Sequence, residues 1–256
     1  MIDTHCHIDF KDFDRDRDEV IRDAAKAGVD RLINIGADIP SSRRAFKLAG
    51  DHANIFATVG VHPHDAKTLT PAFLAEMEKM AVHPKVVGIG EIGLDYYRDL
   101  SPRDIQRKVF IQQLDLAARL KMPVVIHVRE AMDDALAIMG DYIGRTAGVF
   151  HCFPGTVEQA HHVQKLGFHI SVNGVMTYKN SKMADVGKYA DLERMLIETD
   201  CPYLTPMPNR GKRNTPGQVA AVLLFLAHLR DMPAAEVEKI TTRNAERLFR
   251  LVEMFG

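Results

Sequence analysis

Ile2-Asp3-Thr4-His5-Cys6-His7 places two imidazoles one residue apart at the end of a short run, and the same design recurs along the chain. Val86-Val87-Gly88-Ile89-Gly90 leads to Glu91, Pro123-Val124-Val125-Ile126 to His127, Gly148-Val149-Phe150 to His151, and Met195-Leu196-Ile197-Glu198-Thr199 to Asp200. Each run has the length of one buried strand and stops at or beside a residue type that binds metals. A parallel barrel presents catalytic groups from its strand C-termini in this way. Eight strands are expected near residues 2–6, 31–36, 55–61, 86–90, 123–128, 147–151, 168–172 and 194–199, each followed by a helix-length segment. In 103–121, for example, Ile105, Val109, Phe110, Leu114, Ala117 and Leu120 line one helical face. Eight β–α units in 256 residues predict an α/β protein of the TIM-type (β/α)8 barrel class rather than an open doubly wound sheet. Residues 1–256 are read as a single domain.

Composition sets the bounds. The chain is 46% hydrophobic and 26% charged, ordinary for a globular protein with a full core. A net charge of -1 predicts neither a nucleic-acid nor a membrane partner from bulk charge, so a polyanionic substrate must be held by local groups. The longest apolar run, residues 219–227, is far shorter than the ~20 residues of a membrane span. Three scattered cysteines make no disulfide framework. With a first strand expected at residue 2, the reading is a cytoplasmic protein without an obligate protein partner.

His5 and His7 share one face of their strand while Cys6 points to the other. Together with Glu91, His127, His151 and Asp200 they make six nitrogen and oxygen ligands, too many for a closed tetrahedral site. Two divalent ions sharing a bridging carboxylate, with positions open for water, fit that number. Ligand softness admits Zn, Mn or Ni for the imidazoles and Mg for carboxylate and water. No CxxC pair and no GxSxG elbow is present, which argues against a zinc ribbon and against serine chemistry of that type. Gly88-Ile89-Gly90-Glu91-Ile92-Gly93 matches a dinucleotide fingerprint by letter. No helix opens at those glycines, however, and the next one is expected only around Pro102. The match is read as a tight turn exposing Glu91.

Other residues fall on the same rim. His62 and His64, after the third strand, are candidates to hydrogen-bond a substrate phosphate or to support the ligands. Arg129, two residues beyond His127, would clamp an oxyanion or pair with Glu130, Asp133 or Asp134. Tyr96 and Tyr97 would stack a base or pack a loop. The Pro- and Gly-containing loop 202–216 carries Arg210 and Arg213, which would bind phosphate or pin the loop to an acid such as Glu198.

Taken together, Asp3-Thr4-His5-Cys6-His7, Gly60-Val61-His62-Pro63-His64, Gly90-Glu91-Ile92-Gly93-Leu94-Asp95-Tyr96-Tyr97, Pro123-Val124-Val125-Ile126-His127, His151-Cys152-Phe153 and Glu198-Thr199-Asp200 resemble the TatD family of metal-dependent deoxyribonucleases, within the amidohydrolase-like barrels. Many amidohydrolases carry a modified lysine at the end of the fourth strand; here the position is Glu91, as in TatD-like enzymes. The resemblance implies a binuclear site of His5, His7, Glu91, His127, His151 and Asp200, usually described as magnesium-dependent. It also implies hydrolysis of phosphodiester bonds in DNA, with exonuclease action and single-stranded DNA as the transient nucleic-acid partner. On this reading His5 and His7 hold one ion with Asp200, and His127 and His151 hold the other. Asp200 and Glu91 are the catalytic residues, with Asp200 the general base. The rival expectations are hydrolysis of a small ester, amide, lactone or aminoacyl-RNA at the same site, and a binding barrel that has lost catalysis.

Overall fold

The computed structural model describes residues 1–251, so residues 252–256 of the single-domain expectation lie outside it. Eight parallel strands hydrogen-bond in chain order in one sheet. They are β1 (Ile2–Cys6), β2 (Arg31–Ile35), β3 (Ile55–Val59), β4 (Val86–Asp95), β5 (Val124–Arg129), β6 (Gly148–Phe150), β7 (His169–Val172) and β8 (Met195–Ile197). Helices α1 (Arg17–Lys26), α2 (Ile39–Asp51), α3 (Pro71–Met80), α4 (Arg103–Leu120), α5 (Met132–Gly140), α6 (Val157–Lys165), α7 (Lys182–Tyr189) and α8 (Val219–Arg230) follow the strands in turn, and α9 (Ala234–Phe249) ends the described chain. The fold is the expected TIM-type barrel. None of the described helices is long and apolar enough to cross a membrane.

Alternation along the strands builds two apolar shells. Ile33, Ile35, Phe56, Val87, Val125, Val149 and Leu196 pack inside the barrel, where Leu248 and Phe249 of α9 join them. Leu32, Ile55, Ala57, Val124, Ile126, Ile170, Met195 and Ile197 face the surrounding helices. The helices start where their caps dictate: Asp38 accepts from Ser41 N at α2, Thr70 from Phe73 N at α3, and Thr156 from Gln159 N at α6. Residues after β8 complete the ring against β1. Asp200 N donates to His5 O at 2.9 Å, and His7 N donates to Cys201 O at 2.9 Å.

Two irregularities decide what points inward. The β1–β2 register slips between Asp3 and Cys6, a bulge-type change that swaps the faces of the residues beyond it. Ile2 belongs to the inner shell and Cys6 to the outer, which leaves His5 and His7 facing the axis. The second irregularity corrects an expectation. Glu91 does not end the fourth strand at a tight turn; β4 runs on to Asp95, with a register slip against β5 between Ile89 and Ile92. The glycines read as a turn are close-approach positions instead. A Cβ on Gly90 would lie 2.7 Å from Val125 Cβ, and one on Gly93 only 2.0 Å from His127 O. Gly93 also holds a φ of +142°, which side chains strongly disfavour.

Gly93→Ala should cost on the order of 3 kcal/mol and displace His127, visible as a lower Tm together with lost activity. A native-like Tm would show that β5 yields without strain. A second effect is pH-linked. Burial, helped by the charge of Arg194, holds His169 at the start of β7 down to about 4, against an ordinary 6.5. The folded chain therefore keeps this ring neutral while the unfolded chain protonates it, so stability is lost as pH falls from 6.5 towards 4. His169→Gln should flatten the Tm profile in that window; an unchanged slope would assign the acid sensitivity elsewhere.

Candidate metal centre

Inward-facing residues beyond the apolar inner shell are polar, and they meet at Glu91. Its Oε2 lies 3.6 Å from His5 Nε2 and 3.9 Å from His7 Nε2. Asp200 Oδ1 stands 3.7 and 3.5 Å from the same two nitrogens, which are 3.2 Å apart. Glu91 Oε1 faces the other way, 2.9 Å from His127 Nδ1 and 2.8 Å from His151 Nε2. Those two nitrogens are 3.3 Å apart. All six ligand candidates thus converge, with one carboxylate between two groups of imidazoles. Asp200 reaches its place in a left-handed conformation, φ +55°, which aspartate tolerates better than most side chains.

The outer hydrogen bonds orient the rings. His7 Nδ1 sits 3.1 Å from Ile35 O and His127 Nε2 sits 3.2 Å from Asp95 Oδ2. Protons on those atoms leave His7 Nε2 and His127 Nδ1 as lone pairs aimed at the centre. His62 is wired the opposite way. Its Nδ1 accepts from His64 N at 3.1 Å, so the neutral ring carries its hydrogen on Nε2, which points at Glu91 Oε1 3.4 Å away. Distance alone groups His62 with Glu91 and His127, as it groups His5, His7 and Asp200, and His5, His151 and Glu198. The hydrogen bond at Nδ1 leaves His62 facing Glu91 with an N–H rather than a lone pair.

These donors fit a divalent metal. Separations of 3.2–3.9 Å around His5, His7, Glu91 and Asp200 bracket the ~3.4 Å edge of a tetrahedron with ~2.1 Å metal–ligand bonds. His5 Nδ1 and His151 Nδ1 are buried and lack a hydrogen-bond partner among the described residues. The electrostatics are those of a tightly coupled group. Burial opposes the charge on Glu91, but His151 and His127 hold its carboxyl well below the usual range. Burial opposes protonation of His151 too, and Glu91 and Glu198 outweigh it, raising its pKa well above normal. Burial, reinforced by neighbouring imidazoles, pushes His62 well below normal and keeps it neutral.

Two supporting carboxylates escaped the sequence reading. Asp95, four residues past Glu91 on the extended β4, contacts His127 and sits 2.8 Å from His64 Nε2 through the same oxygen. Ending the strand at Glu91 hid that relation. Glu198 is not a partner for Arg210 or Arg213. It is buried, accepting from Cys152 N at 2.8 Å, Ser171 Oγ at 2.5 Å and Asn173 Nδ2 at 3.1 Å, and it stands 3.5 Å from His151 Nδ1. Strand alternation from Leu196 carried that signal. Of the rim cations, Arg129 stacks on Tyr97 with its guanidinium 3.8 Å from the ring centroid, and Arg210 lies 4.4 Å from that of Tyr178. Arg213 is tied to Asp16 and to Asp12 O, pinning the 202–216 loop. Asp134 takes Tyr96 and Arg107 rather than Arg129. The cysteines are free thiols.

Imidazoles and carboxylates converging at the C-terminal mouth of a (β/α)8 barrel define the class: a metal-dependent hydrolase. The chain belongs to the TatD related DNase family, whose family model matches residues 2–250. It is 42% identical to the uncharacterized metal-dependent hydrolase YabD of Bacillus subtilis, covering 98% of this chain and 99% of that protein. It is 34% identical to the 3'-5' ssDNA/RNA exonuclease TatD of Escherichia coli K12, covering 97% and 98%. The crystal structure of the TatD homologue YjjV from Escherichia coli K12 superposes with a TM-score of 0.92 at 33% identity, covering 98% of each chain.

If Asp95 sets the tautomer of His127, Asp95→Asn should keep the fold and weaken metal affinity by about 10–100-fold, read by competition with a chromogenic chelator. Unchanged affinity would reduce Asp95 to a loop anchor.

Proposed function

We propose that this hydrolase cleaves phosphodiester bonds in single-stranded DNA as an exonuclease, using two divalent ions, with the whole chain acting as one catalytic domain. His5, His7 and Asp200 would hold one ion and His127 and His151 the other, with Glu91 placed to serve both. Bound there, Mg, Mn or Zn would lower the pKa of a water and polarise the scissile phosphate. The observation that carries the reading is the split of Glu91, one oxygen towards His5 and His7 and the other towards His127 and His151.

The chain's own groups supply the remaining roles. Asp200, less buried than Glu91, accepts the proton of the attacking water at its carboxylate. His62 turns its Nε2 hydrogen towards Glu91 and limits where that carboxylate can move; His64, held by Asp95, supports His127 from the same side. Arg129 and Arg210 lie on the exposed rim and offset phosphate charge. Aromatic faces on the same rim suit a strand with unpaired bases: Tyr97, under Arg129, and Tyr203, in the 202–216 loop, are more than half exposed and offer surfaces for stacking. Arg213 contributes by holding its loop in place. Those exposed rim groups and the E. coli TatD relative, named for single-stranded DNA and RNA, favour a strand end over a small carbonyl substrate.

The test is a time course on an end-labelled single-stranded oligonucleotide with Mn or Mg, with chelator, and with Asp200→Asn. A metal-dependent ladder is expected, at least about 100-fold slower in the variant. An intact oligonucleotide despite bound metal would transfer the reading to an ester or amide substrate. Full activity in Asp200→Asn would remove Asp200 from the general-base role.

A further inference from the structure

A second concave site lies at the opposite end of the barrel. A cavity of about 1110 Å³ is bounded by Pro123 and Ala147 before β5 and β6, by His169 at the start of β7 and by Arg194 before β8. The C-terminal ends of α4 and α9 complete its wall. That volume is at the top of the ~300–1,000 Å³ range of ligand pockets. Among the described residues six cations line it, Arg119, Lys121, Arg145, Arg194, Arg247 and Arg250, against one carboxylate, Asp115. On a chain of net charge -1, this concentration is local.

Part of that charge is already used. Arg119 pairs with Glu78 at 2.8 Å, Arg145 lies over Tyr142 and 3.9 Å from Asp115, and Arg194 donates to Gly167 O. Lys121, Arg247 and Arg250 are exposed, and among the described residues no carboxylate forms an ion pair with them. Two of them occupy unexpected backbone positions. Lys121 and Arg250 are the residues ending α4 and α9, both left-handed, with φ +55° and +54°. Glycine or asparagine is the usual occupant there. Complementing the helix dipole does not explain the choice, because Arg119 and Arg247 already stand in the last turns. Apolar surface from Leu166, Phe168 and Leu248 forms part of the wall. The neutral His169 beside Arg194 fits a positive local field.

We propose that this cavity binds linked phosphates, with a ligand of the size of a nucleoside triphosphate, on the face opposite the metal centre. Guanidinium groups match phosphate oxygens in paired geometry, and the apolar wall suits a base. The inference does not depend on the nuclease reading.

The test is calorimetric titration of the metal-free full chain with inorganic tripolyphosphate and with ATP, in wild type and in Lys121→Gly/Arg250→Gly. Glycine suits the left-handed backbone, so the double variant removes two cations without imposing strain, and its Tm should hold. Saturable binding is expected, weakened about tenfold or more per cation removed, while Arg210→Ala on the opposite face leaves it unchanged. ATP binding tighter than tripolyphosphate would name a nucleotide as the source; equal affinities would name inorganic polyphosphate. Should the double variant fail to fold, Arg247→Ala on the exposed helix surface serves in its place. The proposal is overturned by no saturable binding of either probe, or by equal binding in the cavity variants. Loss of binding on Arg210→Ala would also overturn it.

Discussion

Glu91 is a buried carboxylate whose two oxygens face different sets of imidazoles, and much of the upper barrel follows from keeping it there. A buried anion is tolerable only when surrounded by donors or positive charge. Four histidines from three chain segments and a fifth, His62, from another provide that surrounding. Three strands must also approach closely. Gly60 comes against Gly90, and Gly90 and Gly93 come against β5, so the backbones meet where side chains would hold them apart. The glycines around Glu91 serve this convergence.

The barrel interior is therefore divided along its axis. Its lower part is filled by Ile33, Phe56, Val87, Val125, Val149 and Leu196 with the end of α9, a packed apolar plug. Above it the inward side chains around Glu91 are polar or ionisable, and several are fastened by a neighbour. Asp3 accepts from Thr199 N and Oγ1, Asn34 binds Asp9, and Glu198 gathers Ser171, Asn173 and Cys152 N. Such contacts leave the reactive side chains few rotamers, which preorganises them. The rim is looser: Arg129 and Arg210 rest on aromatic faces and remain accessible to a phosphate.

The two ends of the barrel differ in the same physical terms. At the C-terminal mouth, carboxylates and lone pairs converge and call for a cation. At the N-terminal end, helix C-termini bring arginines and a lysine around a cavity with a single acid among the described residues, which calls for an anion. A near-neutral total charge conceals both.

The amino-acid sequence by itself determined the barrel and the six converging residues. Eight apolar runs of strand length leave little choice of architecture, and His5, His7, Glu91, His127, His151 and Asp200 stand out because each sits at or near the end of a run. Strand alternation, applied to Glu198, would have found that residue too. Tertiary structure decided the rest. The bulge in β1 and the continuation of β4 to Asp95 arise from pairing with neighbouring strands, which no local pattern encodes. Whether a histidine offers a lone pair or a proton depends on what its other nitrogen meets, so His62 and His127 parted roles only in three dimensions. Arg213 found Asp16, nearly two hundred residues away. The basic cavity was illegible for the same reason: its cations come from four separate segments, each with only one or two of them.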